Sequence, residues 1–490
     1  MGPKILLVGP CPHVNGSCSK GNSVFAAFSA LSMRRRGAAR LAAATLVSGL
    51  VAAGVLAGAG AATADETAQN PGGATATMSG LKTYGDAVIH DAAGDLKVPA
   101  GLFEMSVEGG GTLQTYCVDL HNPAQRDAKY NETPWSGTSL GANKDAGKIR
   151  WILQNSYPQV NDLAALGLAA GVGGGLTEQD AAAGTQVAIW RYSDGADVDA
   201  VDPQAEKLAD YLRKSARDLA EPEASLTLDP PAVSGRPGER LGPVTVHTNA
   251  AGVTVTPPAD AATSGVRIVD KDGAAVTSAV HGGQVFFEVP EDAANGSSDL
   301  TVQASTTVPV GRAFASQGRS QTQILAGSSE STVSATASGT WAKKGAIPAL
   351  SAVRNCAKGG LDITAANKGD EAFTFALLGV EHSIAAGVSR TVTIPLQEDQ
   401  AYDFTITVPG GFEKRFTGVL DCRTQGSETG ASTQTLSEPS PATVGSPATD
   451  VNLAATGGSS ATPIIAGVAI ALVVIGGAAL VVVGRKDTGA

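Results

Sequence analysis

Two apolar segments near the ends of this 490-residue chain limit what everything between them can become. Near the start, Arg34-Arg35-Arg36 and Arg40 precede an apolar stretch from Leu41 to Ala62, and the small residues Ala62-Thr63-Ala64 stand before Asp65. Basic, apolar and small-residue regions in that order predict an export signal over residues 1–64, cleaved between Ala64 and Asp65. The residues ahead of Met33 fit no part of such a signal, so translation is expected to start at Met33. At the other end, the uncharged run Pro463 to Gly484 is about as long as the roughly 20 residues a membrane-spanning helix needs. Arg485 and Lys486 follow it and predict a short cytoplasmic tail over 485–490. The folded part is therefore expected outside the cell, where cysteines pair.

Composition narrows the function classes. Removing the eight basic residues and one acidic residue outside 65–456 from totals of 35 and 46 leaves 27 basic and 45 acidic residues, a net charge of −18. With aromatics at only 4%, no nucleic-acid binder built on basic patches and stacking rings is expected. The histidines and cysteines form neither Cys-x-x-Cys nor His-x-x-x-His, so no metal site and no cofactor are expected.

Between the ends the text predicts a multidomain, β-rich chain. Residues 75–223 mix strands and helices and read as an α+β domain, a β-sheet or barrel with a helical subdomain. Thr112 to Leu120 alternates as a half-buried strand. Asn143 to Gln154, Thr177 to Tyr192 and Pro203 to Leu219 read as helices, with Thr177 and Asp180 as a capping box and Pro203 at a first helical position. Residues 226–338 carry short Val/Thr/Ile runs divided by Gly, Pro, Asn and Asp, the pattern of a β-sandwich of immunoglobulin-like type. Residues 345–424 repeat it as a second, smaller sandwich. Residues 425–452 are Ser/Thr/Pro/Gly-rich and predict a disordered spacer.

Just before the C-terminal apolar run, Leu453-Ala454-Ala455-Thr456-Gly457 resembles the Leu-Ala-x-Thr-Gly sorting signal of Gram-positive surface proteins recognised by class E sortases. The resemblance implies cleavage after Thr456, its transfer to peptidoglycan, and a membrane stage only before sorting. A plain type I membrane protein is the other reading of the same segment.

The exported chain keeps Cys117, Cys356 and Cys422. Cys356 and Cys422 stand near the first and last strands of one small domain and are expected to pair, which leaves Cys117 alone. Tyr116-Cys117-Val118-Asp119, followed by Thr185-Gln186-Val187-Ala188-Ile189-Trp190, resembles the thioester domains of Gram-positive surface adhesins, named for their Thr-Gln-x-Ala motif. The resemblance covers roughly residues 75–223. It implies an internal thioester between the Cys117 sulfur and the Gln186 side-chain carbonyl, single-turnover rather than enzymatic, which attaches the domain covalently to amines on an unknown surface protein or ligand.

Forming that bond from an unreactive amide needs enforced proximity. Ala182 and Ala183 share the Gln186 face of the helix and are small enough to let a strand approach. Ile189 and Trp190 are expected to cover the bond, with Tyr116 and Trp151 helping to exclude water. Thr185 and Asp119 are candidates for hydrogen-bonding the carbonyl or moving a proton; equally, Thr185 can bond back to Ala181 and Asp119 can pair with a lysine. Two alternatives remain: a passive structural stalk with a core thiol, and a secreted cysteine hydrolase or transferase using His90, His121, His247 or His281 as base. An extended strand would hold His121 roughly 13 Å from Cys117, too far for that role.

Overall fold

The computed structural model describes residues 72–423, apart from 93 and 410. The export segment, the spacer, the sorting pentamer and the apolar C-terminal run lie outside the described residues. Among the described residues no helix is long and apolar enough to cross a membrane.

The chain opens with a long antiparallel hairpin, β1 (Thr75–Asp91) and β2 (Gly94–Val107), followed by β3 (Thr112–Cys117) and β4 (Lys129–Thr133). Helices α1 (Ala146–Gln154), α2 (Leu163–Ala169) and α3 (Glu178–Ser193), the short β5 (Val198–Ala200) and α4 (Pro203–Ser215) complete the N-terminal region. The α3 start is the capping box expected: the Thr177 hydroxyl accepts from the Asp180 N–H and the Asp180 carboxylate accepts from the Thr177 N–H. Pro203 occupies the first turn of α4, with Asp202 as its cap.

The chain then makes β6 (Leu226–Asp229), β7 (Ala232–Gly235), β8 (Arg240–Thr248), β9 (Val253–Thr256), the single turn α5 (Ala261–Ser264), β10 (Arg267–Val269), β11 (Ser278–Ala279), β12 (Gln284–Glu288) and β13 (Gly296–Thr307). Next come β14 (Ala313–Ser316), β15 (Gln323–Ser328) and β16 (Glu330–Trp341). Two sheets, β10-β12-β8-β6 and β11-β9-β13-β16-β7, share a core that includes Val244, Val246, Phe287, Val302 and Val333.

The strands β14 and β15 do not join these sheets. They close the N-terminal one, whose order is β2-β3-β15-β14-β4-β1, with β1 pairing back to β2 to complete the circuit and β5 added at the far end of β1. The expected division into 75–223 and 226–338 therefore does not follow the hydrogen bonding. The barrel needs two strands supplied from beyond residue 310, and the two-sheet unit is threaded between its parts. The reason is that β3 and β4 are not paired with each other; the sheet has a gap between them that β15 and β14 fill.

A hub of charge sits where the chain leaves the barrel and returns. The Glu132 carboxylate accepts from the Ala74 and Ser225 N–H groups and from the Ser225 hydroxyl, and pairs with Arg312. Gly73 passes so close that a Cβ there would lie 2.4 Å from Glu132 Oε2, and its φ of +101° is one that side chains disfavour.

The last unit comprises β17 (Pro348–Asn355), β18 (Gly360–Asn367), β19 (Phe373–Leu377), β20 (Val380–Ile384), β21 (Ser389–Pro395), β22 (Ala401–Val408) and β23 (Phe412–Val419). They form one three-stranded sheet, β17-β18-β21, and two hairpins around a separate core of Leu361, Ile363, Phe373, Phe375 and Ile406. Cys356 and Cys422 are joined by a disulfide that ties its two ends together.

Candidate functional site

The strand that carries Cys117 differs from the expected half-buried one. Leu113, Thr115, Tyr116, Cys117 and Val118 are all buried: β2 and β15 flank the strand in the sheet and α3 packs against it. It also stops at Cys117 rather than Leu120. Asp119 turns the chain by accepting the His121 N–H, while the Leu120 N–H goes to Asp194 just past the end of α3.

Helix α3 is buried nearly all round from Ala181 to Trp190, held between β1, β2 and α4. Gly184 permits the crossing with α4, since a Cβ there would lie 2.4 Å from the Ala205 carbonyl oxygen. Ala182 and Ala183 are small and buried, and Ala183 faces β1, where a Cβ on Gly85 would lie 3.1 Å from its own. The result brings Gln186 to Cys117. The Cys117 N–H donates to Gln186 Oε1 at 3.0 Å, and Gln186 Nε2 donates to the Cys117 carbonyl oxygen at 3.0 Å. Both side chains are essentially without solvent exposure. A carboxamide gripped at both ends by the backbone of the nucleophile cannot rotate away.

Electrostatics keep the thiol protonated at rest. Burial pushes the Cys117 thiol far above its ordinary range, Asp194 and Asp119 add to the shift, and the side chains of Gln323 and Gln321 act against it. Burial and the Asp194 charge raise the Asp119 carboxyl to about 7, and burial raises Asp194 to about 7 as well. Asp421, brought from the disulfide unit, is raised to about 7 by burial and then by Asp119; it accepts from the Thr322 hydroxyl at 3.2 Å.

Of the residues singled out in the sequence, Tyr116, Ile189 and Trp190 are fully buried and Trp151 half-buried. The Tyr116 hydroxyl donates to the Tyr157 carbonyl. Thr185 does not reach the Gln186 carbonyl: its hydroxyl donates to Ala181 O at 2.7 Å, within its own helix. Among the described residues Asp119 pairs with no lysine; it accepts from Asn122 as well as from His121. The groups that act on the thiol are carboxyls and carboxamides. His90 instead pairs with Asp95 and Asp199, and His247 and His281 stack edge to face in the two-sheet unit.

The residues that sequence reading missed are Gln321 and Gln323, with Asp194 and Asp421. The two glutamines stand around β15, whose residue 323 is register partner to Cys117. Their signal is a pair of long amides at alternate positions beside the apolar run Ile324 to Ala326. An open cavity of about 700 Å³ lies nearby between the barrel and the disulfide unit, lined by Asn122, Ser320, Glu398, Asp399 and Asp421 among others. The carboxylates of Glu398, Asp399 and Asp421 come within 4.8 Å of one another, the spacing a cation would need among the described residues.

Comparison with known proteins finds family matches over two segments. Residues 114–218 match the family described as Thioester domain, and residues 346–419 match the Bacterial phospholipase C, C-terminal domain. No curated protein matches the chain. Among solved structures, the Bacillus anthracis TIE protein is 16% identical, with 71% of this chain and 63% of that chain covered and a TM-score of 0.26. This chain thus spans less than two thirds of that protein's length. The thioester domain of the Enterococcus faecium TIE86 protein is 14% identical, with 55% of this chain and 97% of that chain covered and a TM-score of 0.26. The family match takes in both Cys117 and Gln186, and it supports a thioester domain over residues 114–218.

Proposed function

We propose that this protein is a surface adhesin that attaches covalently to its target through an internal thioester between Cys117 and Gln186. The observation that carries the reading is the buried, two-point grip of the Gln186 amide on the Cys117 backbone. Bond formation is written as attack of the Cys117 sulfur on the Gln186 side-chain carbon. The S–C bond forms, the C–N bond breaks, and the amide nitrogen leaves as ammonia carrying the proton that began on the thiol.

The Cys117 N–H already points at Gln186 Oε1, so it stabilises the negative charge that the oxygen gathers as sulfur adds. Asp119 and Asp194 stand close enough to act on the thiol, and carboxyls that titrate near neutrality are suited to carry its proton. The surrounding Tyr116, Ile189 and Trp190 keep bulk water from hydrolysing the product. A target amine then attacks the same carbon, an amide to Gln186 forms, and Cys117 is released as a thiol. One turnover consumes the bond, so the activity is attachment rather than enzymatic cycling.

The same reading places the chain on the cell wall, exported through its N-terminal segment and joined to peptidoglycan at Thr456 by a class E sortase. The spacer lifts the domains through the wall.

Intact mass of the purified protein tests the central claim. The expected mass is that of the sequence with one disulfide and one ammonia fewer, rising by one methylamine after exposure to that amine. A mass equal to the sequence with one disulfide, unchanged by methylamine, would reject it.

A further inference from the structure

We propose that Gln323, assisted by Gln321, is a further catalytic residue of this centre: its amide N–H groups hold the Cys117 sulfur as a thiolate when the bond to Gln186 forms and again when an amine breaks it. The inference rests on the thioester reading above and deepens it.

The argument begins with register. In the antiparallel pairing of β3 with β15, Gln323 stands opposite Cys117 and Leu325 opposite Thr115. Thr115 and Cys117 are two residues apart and so share a face of the strand. Thr115 Oγ1 donates to Gln323 Oε1 at 2.9 Å, which fixes the amide's orientation and makes its nitrogen the free end. That nitrogen is buried and has no hydrogen-bond partner. Gln321, two residues earlier, is fully buried with neither amide atom partnered.

Buried polar groups are nearly always satisfied, because an amide taken from water without a partner is destabilising. Two unpartnered amide nitrogens, on the two glutamine side chains that act on the Cys117 sulfur, therefore call for a purpose. The Gln323 and Gln321 side chains favour the charged form of Cys117, against a burial that strongly opposes it. A neutral thiol needs them little; a thiolate needs them greatly, since a soft anion in an apolar cavity has no water to solvate it.

The chemistry has such an anion twice. In formation, the thiol loses its proton, the sulfur bonds to the Gln186 side-chain carbon, and ammonia departs with that proton. In capture, the amine nitrogen bonds to the same carbon, the C–S bond breaks with its electron pair going to sulfur, and a proton from the amine restores the thiol. The Gln323 amide faces the sulfur in both steps, while the Cys117 N–H serves the oxygen. Sulfur and oxygen thus have separate donors, from β15 and β3 respectively.

The test follows methylamine incorporation by intact mass across pH 6 to 9 for the full exported chain and for Gln323→Leu, Gln321→Leu and Thr115→Val, with melting temperature as a check on folding. Gln323→Leu is expected to slow incorporation at least tenfold, or to leave a native-like protein that has not lost ammonia. Thr115→Val, which keeps its shape but frees the Gln323 amide to rotate, is expected to slow it by a smaller factor, and Gln321→Leu likewise. Should Gln323→Leu fail to fold, Thr115→Val decides. Wild-type rate and pH dependence in the folded variants would overturn this proposal while leaving the thioester intact. Absence of ammonia loss from the wild type would overturn the thioester reading and this proposal with it.

Discussion

Glu132 and Arg312 form an ion pair across 180 residues of chain, with side chains 0% and 5% exposed, where the barrel hands the chain to the two-sheet unit and takes it back. Arg312 also donates to Glu221 and to the Pro222 carbonyl, so one guanidinium ties β4, the linker and the start of β14 together. Arg312→Met strands the Glu132 carboxylate in a dry site, and breaking a buried pair from one side costs about 3–5 kcal/mol. Urea unfolding should show a loss of that order, with part of it recovered in Glu132→Gln/Arg312→Met. A loss below about 1 kcal/mol would show that the pair does not hold the junction.

Cys117→Ala should abolish methylamine capture and keep the fold. If the proposed thioester forms, the substitution removes a crosslink between residues 69 apart, and by analogy with disulfides that costs roughly 2 to 4 kcal/mol. Gln186→Ala should also abolish capture but leave a free thiol, which a thiol reagent detects where access allows. Adducts with amines on Gln186→Ala would identify another acyl donor and defeat the assignment of Gln186.

Cys356→Ser/Cys422→Ser should act chiefly on the last unit, since that unit has its own core, although Asp421 beside Cys422 reaches Thr322 of the barrel. Loss of a native disulfide costs about 2–5 kcal/mol, so its melting transition should move down while methylamine incorporation at Gln186 persists. Peptide mapping without reductant should recover the Cys356–Cys422 link in the wild type. A Cys117–Cys356 peptide would contradict both the disulfide and the thioester.

Acidic pH should stabilise the region around the thiol. Asp119, Asp194 and Asp421 are each raised to about 7 in the folded protein. Unfolded, they ionise near the ordinary value of about 3.9, so between roughly pH 4 and 7 the unfolded chain binds fewer protons and stability falls as pH rises. Below pH 4 and above about 7 their contribution is constant. Melting temperature should therefore be higher at pH 5 than at pH 8, and Asp119→Asn or Asp421→Asn should flatten the difference. An equal or higher melting temperature at pH 8 would contradict it.

The parts of this fold that were legible in the sequence are those whose signals are local. Ser389 to Pro395 alternates Thr, Val and Ile and is found with those bounds as β21, and the Thr177–Asp180 box marks the start of α3. The pairing of Cys356 with Cys422 followed from their places in one small domain. The β1–β2 hairpin was not read as strands, because Gly, Ala and charged residues interrupt its apolar pattern and its pairing is carried by backbone bonds. Above all, β14 and β15 read as members of the sandwich because their neighbours in the chain are, whereas their hydrogen-bond partners lie about 200 residues earlier. Cys117 and Gln186 were visible as a motif. Gln321 and Gln323 were not, since only the register of β15 against β3 sets Gln323 opposite Cys117.

That late arrival of β14 and β15 gives the chemistry a clock. Residues 112–117 cannot be enclosed until the chain has been delivered past residue 328, and closing a sheet across so long a loop is a slow, late event in folding. Until then Cys117 is one thiol on an open strand, without the backbone grip and without the amides that face its sulfur. On the export route proposed above, a chain threaded outward from its N-terminus would carry Cys117 unarmed through the passage and arm it only after β15 has emerged.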